Sequence, residues 1–226
     1  DTVGGAGTDF VNGEYGWFTA LHEIGHALGL SHPFDGGSAD GSTLNLKFDS
    51  QRNTVMTYVQ TDRNVKIAWD GSSASYSRVH TSTPGLLDIE AMEHLYTMTG
   101  WNDAATHGSN TVFGAAGDGG MNDFGNNYDY IRVITDSGGT GDTLDASAVT
   151  ATGSIINLTP GTYSSINYYA TDAEKIAAVS GGDAFATSWF EGQLTNLNAT
   201  ASASNSYYPQ YTRTALYRGQ DNVGIA

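Results

Sequence analysis

Three histidines within eleven residues place the strongest constraint on how this chain can fold. The string HEIGHALGLSHP, at residues 22–33, puts His22 and His26 four residues apart. On an α-helix this spacing brings both imidazoles to one face, where they can bind one tetrahedral metal ion. Apolar residues recur at helical spacing over residues 14–30, so we predict a helix there.

A glycine at the end of this helix lets a third histidine reach the same ion. Gly29 permits a sharp turn that can carry His32 back towards the first two histidines. Three neutral imidazoles leave one coordination position open, which distinguishes a catalytic zinc site from a structural one. Glu23 flanks that position and can accept a proton there. We therefore predict a zinc site, because the alternative of incidental histidines on an amphipathic helix requires five specified positions to coincide by chance.

Acidic residues dominate the charge of the chain. Its 226 residues include 24 acids against 9 Lys and Arg, a formal net charge of −15, which excludes electrostatic binding of nucleic acid as the main activity. Cysteine is absent, so bound metal rather than disulfides would have to supplement a thin apolar core. No apolar stretch approaches the roughly 20 residues of a membrane helix. We expect a secreted protein of bacterial type without membrane association.

A second helix is predicted over residues 83–96. Thr83 and Pro84 suit its start, and apolar residues then recur on one face. The acids of this segment are expected to face water; they are Asp88, Glu90 and Glu93.

The pattern changes near residue 105, where we place a domain boundary between residues 1–104 and 105–226. The second part contains short β-prone pieces such as YIRVIT, SIINL and KIAAV, separated by glycine-containing turns. Residues 195–206 are low in complexity, which favours an exposed loop.

Several motifs together resemble one protease family. HEIGHALGLSHP followed by NTVMTY, at residues 53–58, resembles the metzincin zinc endopeptidases, and the tyrosine two places after the turn methionine narrows this to serralysin-like or astacin-like enzymes. TPGLLDIEAMEHLY resembles the helix that follows the Met-turn in serralysins, and DSGGTGDTLDAS resembles the approach to their calcium-binding β-roll. The implied fold class is α+β: the C-terminal part of a metzincin catalytic domain, with zinc helix, Met-turn and C-terminal helix, followed by a β-rich, calcium-binding pre-roll segment.

The resemblance also implies roles for individual side chains. The three histidines would be zinc ligands, and Glu23 would be the general base and acid. Met56 would form an apolar floor beneath the imidazoles. Tyr58 would be a weak extra zinc ligand at rest and would hydrogen-bond the oxyanion during catalysis.

Calcium is the second ion that the resemblance implies. In DSGGTGDTLD, at residues 136–145, Asp136 and Asp142 flank glycines with unobstructed carbonyls, an oxygen-rich arrangement that suits a hard cation. The resemblance adds Gly138 as a ligand, with backbone oxygens from residues 107–111. A solvated Asp-Gly turn is the alternative.

The resemblance is incomplete at both ends, since only 21 residues precede His22 and no roll repeats follow. We expect a piece of a longer protease that lacks the N-terminal lobe, with a separate N-terminal chain as one way to complete the catalytic domain. The predicted function is a secreted zinc-dependent endopeptidase that hydrolyses internal bonds of proteins or peptides. The alternative is a catalytically silent, calcium-stabilised extracellular surface or assembly module derived from such a protease.

Overall fold

The computed structural model describes residues 10–36, 41–96, 110–114, 129–136, 138–149, 153–201 and 215–226. In this part of the chain the protein has a mixed α+β fold with four helices and small sheets. In chain order the elements are α1 (Tyr15–Ala27), β1 (Val65–Trp69), β2 (Ala74–Arg78), α2 (Leu86–Tyr96), β3 (Val112–Phe113), β4 (Arg132–Ile134), β5 (Thr143–Leu144), β6 (Gly153–Ile155), β7 (Thr162–Tyr168), α3 (Asp172–Ser180), α4 (Ala184–Ala201) and β8 (Val223–Ile225).

Helix α1 confirms the first predicted helix. It buries Phe18, His22 and Gly25 on one side. Beyond its last residue, Gly29 has a φ of +93°, a left-handed conformation that residues with a Cβ rarely adopt. The Leu30 amide then donates to the Gly25 carbonyl at 2.9 Å, which folds the chain back over the helix end.

Helix α2 confirms the second predicted helix, but one of its acids lies in the core. Asp88 is 3% exposed, so the expectation that it faces water is wrong, whereas Glu90 is exposed. The side chain of Asp88 is buried because the N-terminal end of α2 packs on the segment before Met56. A Cβ on Gly85 would overlap the Asn53 backbone, which shows how close the two segments lie.

The largest sheet of the described residues has four strands in the order β4-β8-β7-β6. Strand β8 pairs parallel to β4 and antiparallel to β7, and β6 pairs antiparallel to β7. Strands β1 and β2 form an antiparallel hairpin, and β3 pairs parallel to β5. The β-prone pieces YIRVIT and SIINL therefore contribute strands, as predicted.

Two other expectations for the second half are wrong. The piece KIAAV lies in α3, where Thr171 and Glu174 form a reciprocal N-terminal capping box that favours a helix. Residues 195–201 belong to α4 rather than to a loop, and residues 202–206 lie outside the described part. Packing favours helices here, because Ile176 of α3 and Phe190 of α4 are both buried in a cluster with Val65 of β1.

The apolar clusters of the described residues include two that draw on both sides of residue 105. One joins Val65 and Ile67 to residues of α3 and α4, and another joins Val79 to Ile131 and Tyr217. A boundary near residue 105 stays a prediction, and the two sides share buried contacts. Among the described helices, none is long and apolar enough to cross a membrane.

Candidate metal centre

The three histidines of HEIGHALGLSHP meet at one point beside α1. The Nε2 atom of His32 lies 3.1 Å from Nε2 of His26 and 3.3 Å from Nε2 of His22. Ligands about 2.0–2.1 Å from a tetrahedral zinc ion would be about 3.3 Å apart, so the spacing fits a single ion. Among the described residues this trio is the group of His and acidic side chains whose ligand atoms could hold a metal.

The second ring nitrogen of each histidine has its own acceptor. The Nδ1 atoms of His22 and His26 lie 2.7 Å and 2.9 Å from the carbonyls of Val55 and Leu30. Because a carbonyl only accepts, each Nδ1 must carry the proton, and each Nε2 presents its lone pair to the common point. Without a cation, these lone pairs would face one another at hydrogen-bond distance. The donor set therefore fits a bound metal ion.

A carboxylate that the sequence analysis missed holds the third histidine. The Nδ1 atom of His32 lies 2.6 Å from Oδ2 of Asp35. Metal-binding histidines commonly donate their other N–H to a carboxylate, which fixes the tautomer and raises the basicity of the ligand. The signal was available in the sequence, because Asp35 follows His32 by only three residues.

Tyr58 reaches the same point from the segment that contains Met56. Its hydroxyl oxygen lies 2.9 Å from Nε2 of His32, and its ring stacks on His22 at a centroid distance of 5.6 Å. The side chain is 55% exposed, so it borders the site from the solvent side. The tyrosine singled out by its place after Met56 thus lies beside the histidines.

Met56 lies beneath α1 and is 2% exposed. It packs in a cluster with Phe18 and Val55, and its sulfur occupies the space that a Cβ on Gly25 would need. Position 25 therefore favours glycine, because the Met56 side chain packs directly against the helix there. An apolar floor below the imidazoles stays a prediction.

Glu23 follows His22 on α1 and is exposed. Its side chain is therefore open to water on the helix surface. The role of this exposed carboxylate as a proton acceptor stays a prediction.

A buried histidine packs against α1 on the side of Phe18. His80 is 5% exposed and stacks on Phe18 of α1 at a centroid distance of 5.3 Å. Burial, with smaller contributions from Lys66 and Arg78, lowers the pKa of this imidazole to about 4. His80 is therefore a neutral packing residue at neutral pH.

The proposed calcium residues lie in a separate loop. Oδ1 of Asp136 accepts a hydrogen bond from the Gly138 amide, while its Oδ2 is buried and has no hydrogen-bond partner in the described structure. Asp142 is exposed and accepts from the Thr111 amide at 3.0 Å. The loop therefore lies against residues 110–111, the described end of the segment expected to complete a cation cage, while residues 107–109 lie outside the described part.

Comparison with curated proteins finds serralysins. The chain is 33% identical over 163 residues to a serralysin of Proteus mirabilis, covering 68% of this chain and 30% of that protein. It is 32% identical over 171 residues to serralysin C of Dickeya chrysanthemi, with the same two coverages. It is 34% identical over 110 residues to metalloprotease AprA of Pseudomonas entomophila (strain L48), covering 45% of this chain and 20% of that protein.

The similarity is therefore to one part of longer proteins, since the chain spans about 30% of the length of the first two relatives. No protein-family model matches the chain. No solved structure matches it either. The extent of the shared sequence nevertheless leads to one conclusion: this chain is a relative of the serralysin-like metalloproteases.

Proposed function

We propose that this chain holds the catalytic zinc centre of a secreted endopeptidase that hydrolyses internal peptide bonds of proteins. The observation that carries the proposal is the meeting of the three Nε2 atoms with the Tyr58 hydroxyl at one point on the surface. A structural zinc site would be closed by a fourth protein ligand held in the interior, whereas Tyr58 is half-exposed.

Bound zinc would supply a Lewis acid that lowers the pKa of a water molecule at the open position. Glu23 would take the proton of that water on a carboxylate oxygen and pass it to the leaving amine. Its exposure on α1 supports this role, because the carboxylate can meet both water and substrate. Tyr58 would act as a weak extra ligand at rest and then turn its hydroxyl towards the substrate oxyanion.

The Nδ1 acceptors of the histidines support the same function. They fix the ring orientations before metal or substrate binds, so little rearrangement is needed during catalysis. A site that is organised in advance can hold a metal ion through the three histidines, with Tyr58 as only a weak extra ligand.

We infer calcium as a second ion, held by Asp136, Gly138 and Asp142. The buried and unpartnered Oδ2 of Asp136 supports this, because a carboxylate oxygen without a donor is costly to bury unless a cation neutralises it. The contact between the loop and residues 110–111 supports it further, because these residues belong to the segment expected to complete the cage: the Thr111 amide donates to Asp142, and the Thr140 amide donates to the Asn110 side chain.

The proposal places the enzyme outside the cell, with proteins or peptides as substrates. A separate N-terminal chain stays a prediction, and the intact mass of the native material would test it.

The test is hydrolysis of unfolded casein by the zinc-loaded chain, with and without a chelator. We expect chelator-sensitive cleavage, and we expect Glu23→Gln to lower its rate by about a hundredfold or more, which is the contribution of a general base. Zinc content should stay that of the wild type, because Glu23 is not among the three clustered ligands.

Glu90→Gln is the matched control, because it removes the charge of an exposed glutamate on α2. This variant should cleave at the wild-type rate. A zinc-loaded wild type that cleaves nothing would favour the silent surface or assembly module. Full activity in Glu23→Gln would remove the glutamate from the mechanism.

A further inference from the structure

Asp88 is a buried carboxylate that neither the zinc ligands nor the proposed chemistry uses directly. It lies in the first turn of α2, is 3% exposed and accepts three hydrogen bonds. Its Oδ1 accepts from the Thr54 hydroxyl at 2.5 Å, and its Oδ2 accepts from the amides of Val55 and Gly85, each at 2.7 Å. Two of these three donors belong to the segment that leads into Met56.

We propose that Asp88 is a positioning residue of the zinc centre, which sets the orientation of His22 by fixing Val55. The same residue, Val55, donates its amide to Asp88 and accepts Nδ1–H of His22 at its carbonyl, both at 2.7 Å. Asp88 thus binds the amide of Val55 while His22 binds its carbonyl. Any shift of Val55 relative to α2 moves the acceptor that fixes the His22 ring.

The surroundings leave this connection little freedom. Val55 and Met56 are each 2% exposed, and the Thr54 hydroxyl also accepts the Met56 amide at 3.0 Å. The Leu87 amide donates to the Asn53 carbonyl at 3.0 Å, so α2 is bonded to the turn at a second point. A packed contact of this kind transmits a displacement rather than absorbing it.

Helix capping alone does not explain this arrangement. A capping side chain in the first turn only has to accept the Gly85 amide, and one oxygen atom of a surface residue is enough for that. Asp88 instead lies in the interior and also accepts hydrogen bonds from Thr54 and Val55, which belong to the segment before Met56. Burial raises the pKa of the Asp88 carboxyl and the three donors oppose that rise, consistent with a site built around an acceptor.

This role rests on the proposed function, because it takes zinc as the ion held by the three histidines. It predicts that the place of the acceptor, more than its charge, controls zinc binding. Asp88→Asn can keep an oxygen towards Val55 and Gly85 and turn its amide nitrogen towards Thr54. Asp88→Ala leaves all three donors without an acceptor, and Asp88→Glu moves the carboxylate by one methylene relative to these donors.

The experiment is a zinc titration of the metal-free full chain against a competing chelator, with the visible spectrum of the cobalt-loaded protein as a readout of ligand geometry. We expect Asp88→Ala and Asp88→Glu to bind zinc at least tenfold more weakly, the usual loss when a residue that orients a ligand is changed. Asp88→Asn should stay within about threefold of the wild type. The cobalt spectrum should change in the first two variants and not in the third.

Glu90→Gln serves as the control on the same helix, and urea unfolding of each metal-free variant separates loss of fold from loss of metal. Unchanged zinc affinity and cobalt spectra in folded Asp88→Ala would overturn the proposal and leave Asp88 as a fold residue. If Asp88→Ala does not fold, the comparison of Asp88→Asn with Asp88→Glu decides. Weaker binding by Asp88→Asn than by Asp88→Glu would also overturn it, since charge would then be the controlling property.

None of these readouts requires proteolysis, so the two proposals can fail separately. Zinc binding that follows the expected order without any hydrolysis would defeat the proposed function alone. Chelator-sensitive hydrolysis with Asp88 variants that bind zinc like the wild type would defeat the positioning role alone.

Discussion

Protonation of His80 should weaken the packing against α1 and lower the stability of the fold as the pH falls. The imidazole is buried against Phe18, and Tyr15 lies 5.6 Å from it, centroid to centroid. Its Nδ1 has no hydrogen-bond partner in the described structure, so nothing there stabilises the charged form. Burial therefore lowers the pKa of His80 to about 4 in the folded protein.

The free energy follows from the difference between the folded and unfolded states. In the unfolded chain His80 should have a pKa of about 6.5, so between pH 6.5 and pH 4 the unfolded state binds the proton more readily. The stability due to neutral His80 is therefore complete above about pH 6.5 and is lost as the pH falls towards 4. At pH 4.5 the loss amounts to about 2.5 kcal/mol, at about 1.4 kcal/mol per pH unit of pKa difference.

The assay is urea unfolding of the metal-free chain at pH 7.5 and pH 4.5, for the wild type and for His80→Gln. Glutamine is neutral at both values, so the variant lacks this proton linkage. Other groups, including Asp88, whose pKa is raised by burial, titrate in both proteins and cancel in the comparison.

We expect the free energy of unfolding to fall by about 2.5 kcal/mol more in the wild type than in the variant between the two pH values. An equal fall in both proteins would refute the reasoning, because His80 would then be solvated or hydrogen-bonded in the native state. The absolute stability of His80→Gln does not enter, since each protein is compared with itself.

Three other changes should each have a measurable effect. Asp35→Ala should weaken zinc binding about tenfold in a chelator competition, because His32 loses the acceptor of its Nδ1–H, whereas an equal affinity would show that the carboxylate is dispensable. Gly85→Ala should lower the free energy of unfolding by about 1–3 kcal/mol, because the added Cβ would overlap the Asn53 backbone. Gly192→Ala in α4 is the control, since its Cβ meets open space, and it should raise the free energy of unfolding by about 1 kcal/mol. Similar values for both variants would contradict the packing at Gly85. Calcium should raise the Tm of the wild type and slow hydrogen exchange in residues 105–226 more than in α1, and Asp136→Asn should reduce the rise in Tm. A wild-type Tm that does not change with calcium would contradict the inferred calcium site.

Local sequence pattern was sufficient for the parts of the site that lie on one segment. The meeting of the three histidines depends only on helix geometry and on the turn at Gly29, so it can be predicted from residues 14–32 alone. Even the Asp35 contact is local, because the carboxylate follows His32 by three residues.

Contacts between distant segments could not be predicted in this way. Asp88 was expected to face water, because its place among the apolar positions of α2 puts it on the polar side of an isolated helix. Its burial depends on the packing of the helix end against Thr54 and Val55, which lie more than 30 residues away. Likewise KIAAV has strand propensity, but it packs as part of α3 against β1, where tertiary contacts outweigh a weak local preference.

The sequence by itself determined the histidine cluster, because hydrogen bonds within one helix and one turn bring the three histidines together. Only the tertiary structure decided how that set is held and how open it is. The acceptor of His22, the approach of Tyr58 and the burial of Asp88 depend on the turn around Met56, which packs between α1 and α2. Such long-range packing depends on shape and on buried polar partners, which local spacing does not encode.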